Sequence, residues 1–376
     1  MTLPALARPW RLAVLLLLLT GCARSQVVRE ESATPFVFRS LDLRQQDMLG
    51  RPKWELTSPE ARYDLRRRLA RALQPRGVIY VDGKASYRLE SSTGTVVNDG
   101  AVILLEGLIR LQRLGDAPVM IQGSRVRWVP AMNLMEIDRG PEGFDPHTRL
   151  TAERATFRID RDTLELQGRP RLQRWASAFD PFQANPAGAP QIVVTVGKVE
   201  WKPGSGALTA RGPILGERRP PGSPADRPPQ VLTATALSGN TLKQRFNLGS
   251  PVQFSDPAVK GGLSARGQAL QVDAGQRLVS IPSGCVIQQE ASSLQADSCS
   301  WNWETQAIAA DGAVLLQRPA SRQLTRGSRL RGRLGDSGFV VVSAPGGRVF
   351  SQFQVPPSKT APRPAPPRPQ PEPIRL

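Results

Sequence analysis

The sequence predicts a repetitive all-β body of stacked antiparallel hairpins, and two recurring signals carry that prediction. The first is a hairpin plan centred on Trp201 to Leu215. An aromatic residue opens a strand, Lys202, Pro203, Gly204 and Ser205 form a turn, and Leu208 and Ala210 alternate with polar residues toward Gly212. Eleven residues separate Trp201 from Gly212, and the same separation links Phe157 to Gly168, through Leu164 and Leu166, and Trp301 to Gly312, through Ile308 and Ala310. Looser copies lie at Ile103, Leu105 and Gly107, at Trp128 to Ile137, and from Leu270 to Gly284. Period-two alternation between turn residues marks strands that bury one face, and a plan repeated along the chain marks stacked strand pairs. The second signal is a leucine two residues before an alanine, at Leu150, Leu232, Leu263 and Leu294. Glycine at the fixed point of the plan suits a bend or bulge, because a residue without Cβ tolerates a kinked strand and close backbone approach. Unremarkable β-sandwich hairpins are the competing reading.

At the start of the chain, Arg8 and Arg11 precede a short apolar run from Leu12 to Leu19, followed by Thr20, Gly21 and Cys22. The run is far below the roughly 20 residues that span a bilayer, so residues 1–21 read as a cleaved export segment. Leu19, Thr20, Gly21 and Cys22 resemble the lipobox of bacterial lipoproteins, which implies cleavage before Cys22 and a diacylglycerol thioether on it. An ordinary signal peptide with a chance cysteine is the alternative. Buried lipid methylenes contribute about 0.8 kcal/mol each, so such a chain is held at a membrane surface while its body stays in water. Residues 22–35 are polar and charged, a flexible tether, and the rest of the chain is expected on the periplasmic side.

The formal net charge is +18, to which the two leader arginines contribute, and it favours anionic partners such as lipid headgroups, phosphorylated glycolipid or acidic protein. Nucleic acid is not expected as the partner of an exported lipoprotein, and no aromatic stacking motif calls for it. Apart from Cys22 the cysteines are Cys285 and Cys299, an even pair that predicts a disulfide in an oxidising compartment, with two buried free thiols as the alternative.

Phe36, Phe38, Leu41 and Leu43 suggest a first strand, with Gly50, Arg51 and Pro52 turning into Trp54 and Leu56. After Ser58 and Pro59, the spacing of Leu65, Leu69, Ala72 and Leu73 predicts a short basic helix. Strands resume at Val78 to Val81 and continue through Tyr87 and Leu89, Val102 to Leu111, and Met120 to Trp128. Ala178 to Gln191 and Pro213 to Gln230, rich in Pro, Gly and Ala, read as long loops on one continuous stack, or as a domain boundary near 185. Nine prolines between Pro356 and Pro373 make residues 356–376 an extended, polyproline-rich tail.

Little catalytic chemistry is legible. His147 is the single histidine, which excludes multi-histidine metal sites, and in the run Gly143, Phe144, Asp145, Pro146 it reads as a solvated turn residue. No phosphate-cradling glycine loop is present. Carboxylates such as Asp160 and Asp162 fall in turns, where sequence does not fix a pair at glycosidase distance. No cofactor and no metal are expected, and binding is the default function.

The order of segments resembles the lipopolysaccharide-export periplasmic protein family LptC, together with the OstA-like domains of LptA and the N-terminal part of LptD. The residues that carry the resemblance are the Leu41 to Trp54 entry, the Leu56, Ser58, Ala61 and Tyr63 pattern, the Arg125 to Pro130 strand with Trp128, and the Leu150 to Leu172 unit. It covers residues 36–175, and residues 176–355 look like further copies of the same repeat. The chain departs from the family in length and in its anchor, where the family has an uncleaved transmembrane helix and this chain has a lipobox.

The resemblance implies an open OstA-like β-jellyroll and a non-enzymatic protein that takes lipopolysaccharide acyl chains into an apolar groove. Ile103, Leu105, Ile109, Trp128, Phe157, Leu164, Leu166, Trp201 and Leu208 are candidates to face that groove, with plain core packing as the alternative for each. Arg329, Arg331 and Arg333 share one strand face and are candidates for the anionic headgroup, against a solvated outer face. The implied partners are an inner-membrane ABC transporter complex with periplasmic jellyrolls and an LptA-like bridge protein. Both would be met by edge-strand pairing, with Phe36 to Leu43 as one edge and Phe339 to Phe353 as the other. The implied location is the periplasmic face of a bacterial membrane, the inner membrane being favoured and the outer the alternative. An enzyme acting on envelope polysaccharide and a structural, peptidoglycan-associated lipoprotein are the rival classes.

Overall fold

The alternating runs become thirty strands among the described residues, accompanied by three short 3-10 turns. The structure, a computed structural model, describes residues 36–183, 185–220, 222–224, 226–333, 340–343 and 349–353. The predicted leader, the Cys22 lipidation site, the tether up to residue 35 and the proline-rich tail lie outside the described residues. The fold is an open β-jellyroll.

The pairings are antiparallel and form two ladders that run side by side along the chain. Ladder one begins at Leu41–Gln46 and ends at Phe350–Phe353; ladder two begins at Phe36–Phe38 and ends at Val340–Ser343. Long strands, such as Ala207–Arg218 and Ala307–Arg318, belong to both ladders, and their register shifts midway where they cross. Pairing continues without a break through the Pro- and Gly-rich 178–191 segment, because Arg171–Arg174 pairs with Ile192–Thr195.

The crossing explains the fixed glycines of the hairpin plan. Gly212 lies at the shift between Arg211 and Ile214 with φ +102°, a left-handed conformation that glycine adopts without penalty. Gly312 holds the same place between Asp311 and Val314 with φ +73°, and a Cβ there would lie 2.1 Å from Asp297 Oδ2. The eleven-residue spacing is therefore the path from an aromatic residue in ladder two, around its hairpin, to the corner where the chain leaves for ladder one.

Directly paired residues of antiparallel strands point to the same face, so register defines inward rows along each ladder. In ladder two one row reads Ile103, Trp128, Met135, Phe157, Leu164, Trp201, Leu208, Gly239, Phe246, Val272, Val279, Trp301, Ile308. In ladder one the facing row includes Ile121, Gly143, Leu150, Leu172, Val194, Gly216, Leu232, Phe254, Ala265 and Ile287. Aromatic pairs bridge the ladders: Trp54 with Trp128 at 5.6 Å between ring centroids, Tyr87 with Phe157 at 5.3 Å, and Phe254 with Trp301 at 6.1 Å. One hydrophobic core results.

Four expectations are corrected. The predicted helix after Ser58 is a hairpin of strands Glu60–Asp64 and Leu69–Leu73, the second also paired with Thr93–Val97. Ala70 and Ala72 are buried at period two while Leu65 is 61% exposed, so ladder pairing on both sides overrides the helical spacing of the leucines. The single first strand is two, Phe36–Phe38 in ladder two and Leu41–Gln46 in ladder one. The last strand likewise divides into Val340–Ser343 and Phe350–Phe353, one per ladder. The long loop expected from Pro213 begins instead after Arg218, because Pro213 sits at a corner where no ladder hydrogen bond is needed.

Candidate functional site

The two ladders meet differently along their length. From Trp54 to Leu208 the facing rows are shut, and all nine candidate groove residues lie in this part, each no more than 3% exposed. Trp201 seats on Gly143, where a Cβ would lie 2.7 Å from the indole. The ladders are tied here by the Tyr87 hydroxyl, which donates to Asp162, while the other oxygen of Asp162 accepts the Gly204 N–H at 2.6 Å. Burial, then the Asp162 carboxylate, pushes the Tyr87 phenol well above its usual range, so it stays a donor.

Past Leu208 the rows place glycines at Gly239 and Gly216, and the interior opens. A Cβ on Gly216 would have no neighbour nearer than 3.6 Å. The space is a trough of about 170 Å³, walled by Val194, Leu232, Phe254 and Ile287 of ladder one and by Phe246, Val272, Val279 and Trp301 of ladder two. None of the nine residues expected to face a groove lines it; they pack as core, and the open space lies further along the same rows. A disulfide between Cys285, in ladder one, and Cys299, in ladder two, fastens the ladders beside the trough, and Cys299 lines it.

Along ladder one, the row nearer the rim turns polar where it borders the trough. Thr148 pairs with Arg174, Arg174 with Ile192, Ile192 with Arg218, and Arg218 with Gln230. Arg218 Nη1 donates to Gln230 Oε1 at 2.7 Å, Gln230 Nε2 donates to Asp256 Oδ2 at 2.7 Å, and the Arg218 guanidinium lies over the Trp303 ring at 5.5 Å. Arg174 is 6% exposed, and its Nη1 has no hydrogen-bond partner. Burial pulls both guanidiniums below their usual range, opposed by the charges of Asp145 on Arg174 and of Asp256 on Arg218. Both arginines line the trough.

Strand parity was the signal for these two residues. Leu172 and Arg174, like Ile214, Gly216 and Arg218, share one face of their strands, so inward leucine and isoleucine imply inward arginine. By the same parity Arg329, Arg331 and Arg333 flank buried Leu330 and face outward. Arg329 and Arg331 pair with Asp311 at 3.2 and 3.0 Å, and Arg333 donates to the Thr305 carbonyl at 3.2 Å. They do not border the trough. His147, expected in solvent, is half-buried with Nδ1 unpartnered; burial, then Arg174, lowers its pKa.

No helix among the described residues is long and apolar enough to cross a membrane, and no cluster among them could hold a metal ion. Residues 12–173 match the family model described as lipopolysaccharide-assembly, LptC-related. Among solved structures the chain is similar to LptH, described as the LptA homologous periplasmic component of the conserved lipopolysaccharide transport device from Pseudomonas aeruginosa. The identity is 18% and the TM-score 0.29, over 44% of this chain and 95% of that one. No curated protein matches the chain. Residues 12–173 are thus similar to the LptC-related lipopolysaccharide-assembly family, and the trough is built almost wholly from the strands that follow them.

Proposed function

We propose that the protein is a lipid-anchored, non-enzymatic bridge component of the periplasm that takes lipopolysaccharide acyl chains between its ladders and passes them from the inner toward the outer membrane. The apolar trough carries this reading. Acyl chains entering it leave water at about 25 cal/mol per Å² of apolar surface, while the sugar stays outside. The trough is close in size to the ~150 Å³ apolar cavity that takes up one benzene, so it accepts part of one chain at a time. Such a foothold is weak enough for onward release. The anchor on Cys22 keeps the body at the inner membrane.

The ends of the ladders support the partner assignment. Among the described residues, Phe36–Phe38 and Leu41–Gln46 each pair on one side only, as do Val340–Ser343 and Phe350–Phe353. An inner-membrane transporter jellyroll at the first pair and an LptA-like protein at the second would continue both ladders by strand addition.

The test places a photo-crosslinking residue at Phe254, Val279, Trp128 or Phe157, one at a time, in cells. Capture of lipopolysaccharide at Phe254 and Val279 and not at Trp128 or Phe157 is expected. Capture at none, with the protein folded and exported, would remove the acyl-chain path.

A further inference from the structure

We propose that Arg174 and Arg218 are the headgroup half of an amphiphile site and grip a phosphate monoester whose alkyl chain lies in the trough. The proposal rests on the trough being an acyl-chain site and adds the chemistry of the group at its rim. Arg174 lies inward, walled by Leu172 and Ile192, with a guanidinium nitrogen that no described residue satisfies. A buried, unpaired cationic donor is costly to maintain, and an anion brought in by a ligand removes that cost.

Arg218 is two strands away in the same row, about 9–10 Å at the usual strand spacing, with Ile192 between. Two side chains of that length can close on one anion from both sides, and guanidinium forks match phosphate oxygens bidentately. Neither arginine is in an ion pair with a described carboxylate, and Asp145 Oδ2, also buried, has no hydrogen-bond partner. Asp145 acts on Arg174 through space without an ion pair, and Asp256 reaches Arg218 through Gln230. The hydrocarbon wall begins at the next inward residues of the same strands, Leu172 and Gly216, so headgroup and chain would lie end to end.

Calorimetric titration of the full-length protein with dodecyl phosphate, dodecyl maltoside and inorganic phosphate tests this. Dodecyl phosphate is expected to bind at least about tenfold tighter than dodecyl maltoside, the factor that one charge-assisted hydrogen bond supplies. Inorganic phosphate should bind more weakly than either. Arg174→Met and Arg218→Met should each erase the phosphate preference, so that dodecyl phosphate and dodecyl maltoside bind the same variant equally; Arg218, at the more exposed position, serves if Arg174→Met fails to fold. Equal binding of the two alkyl ligands by the unaltered protein, or a preference that survives a folded variant, overturns the proposal. Inorganic phosphate binding as tightly as dodecyl phosphate overturns it in favour of a free-ion site. If neither alkyl ligand binds, the trough reading falls as well, whereas loss of the phosphate preference alone leaves that reading standing.

Discussion

The closed half and the trough share two ladders and one pair of facing rows, yet one is solid and the other open. Where Trp128, Phe157 and Trp201 project from ladder two, the facing row offers Gly143 as a seat, and the interior fills. Where the row of ladder one reaches Gly216, a Cβ would have no neighbour nearer than 3.6 Å, and the residues of ladder two beyond Leu208, Phe246, Val272 and Val279, are only partly covered. The repeated backbone sets the distance between the ladders. The size of a few row residues then decides between core and cavity.

The largest expected effect sets one aromatic residue of each region against the other. Trp128→Ala should cost about 3–5 kcal/mol of stability, as for other buried aromatic truncations, and Trp301→Ala less than about half of that, since its ring already borders open space. Urea unfolding checks both, and equal losses would mean that the trough is as tightly packed as the core. Replacing Cys285 and Cys299 together by serine should cost up to about 3 kcal/mol for a loop of this length. Hydrogen exchange should place that loss in strands 278–302 and spare the Trp201 region. A uniform loss would break the distinction.

A smaller effect comes from filling the two gaps. Gly143→Leu collides with Trp201 and should cost about 1–3 kcal/mol, as overpacked cores do. Gly216→Leu should leave stability nearly unchanged and block uptake of dodecyl maltoside. The smallest effect is on pH dependence. The folded-state pKa of His147 is lowered, so stability is full above its unfolded value of about 6.5 and is lost as pH falls below that toward the folded value. Thermal unfolding between pH 7 and 5 should show a shallower decline in His147→Gln than in the unaltered protein.

Much of the fold was legible because strand parity and hairpin spacing are local properties. The Phe157, Trp201 and Trp301 hairpins all place their aromatic residue opposite a leucine or isoleucine in ladder two: Phe157 with Leu164, Trp201 with Leu208, Trp301 with Ile308. The Leu-x-Ala signals at Leu150, Leu232, Leu263 and Leu294 all mark ladder one. What local pattern could not show was which strand faces which across the interior. Trp201 meeting Gly143 is a contact between ladders, and no spacing along the chain encodes it. For that reason the aromatic residues that looked like groove walls are core, and the open space falls past Leu208, where Gly216 leaves its row without a side chain.

The two ladders carry a consequence for size. Strands stack about 4.8 Å apart, so each hairpin added to a ladder lengthens the body by about 10 Å and leaves its cross-section unchanged. Reach is thus a quantity the chain can adjust by counting. A duplicated or deleted hairpin would alter the length of the body, while its terminal strand pairs keep the same shape.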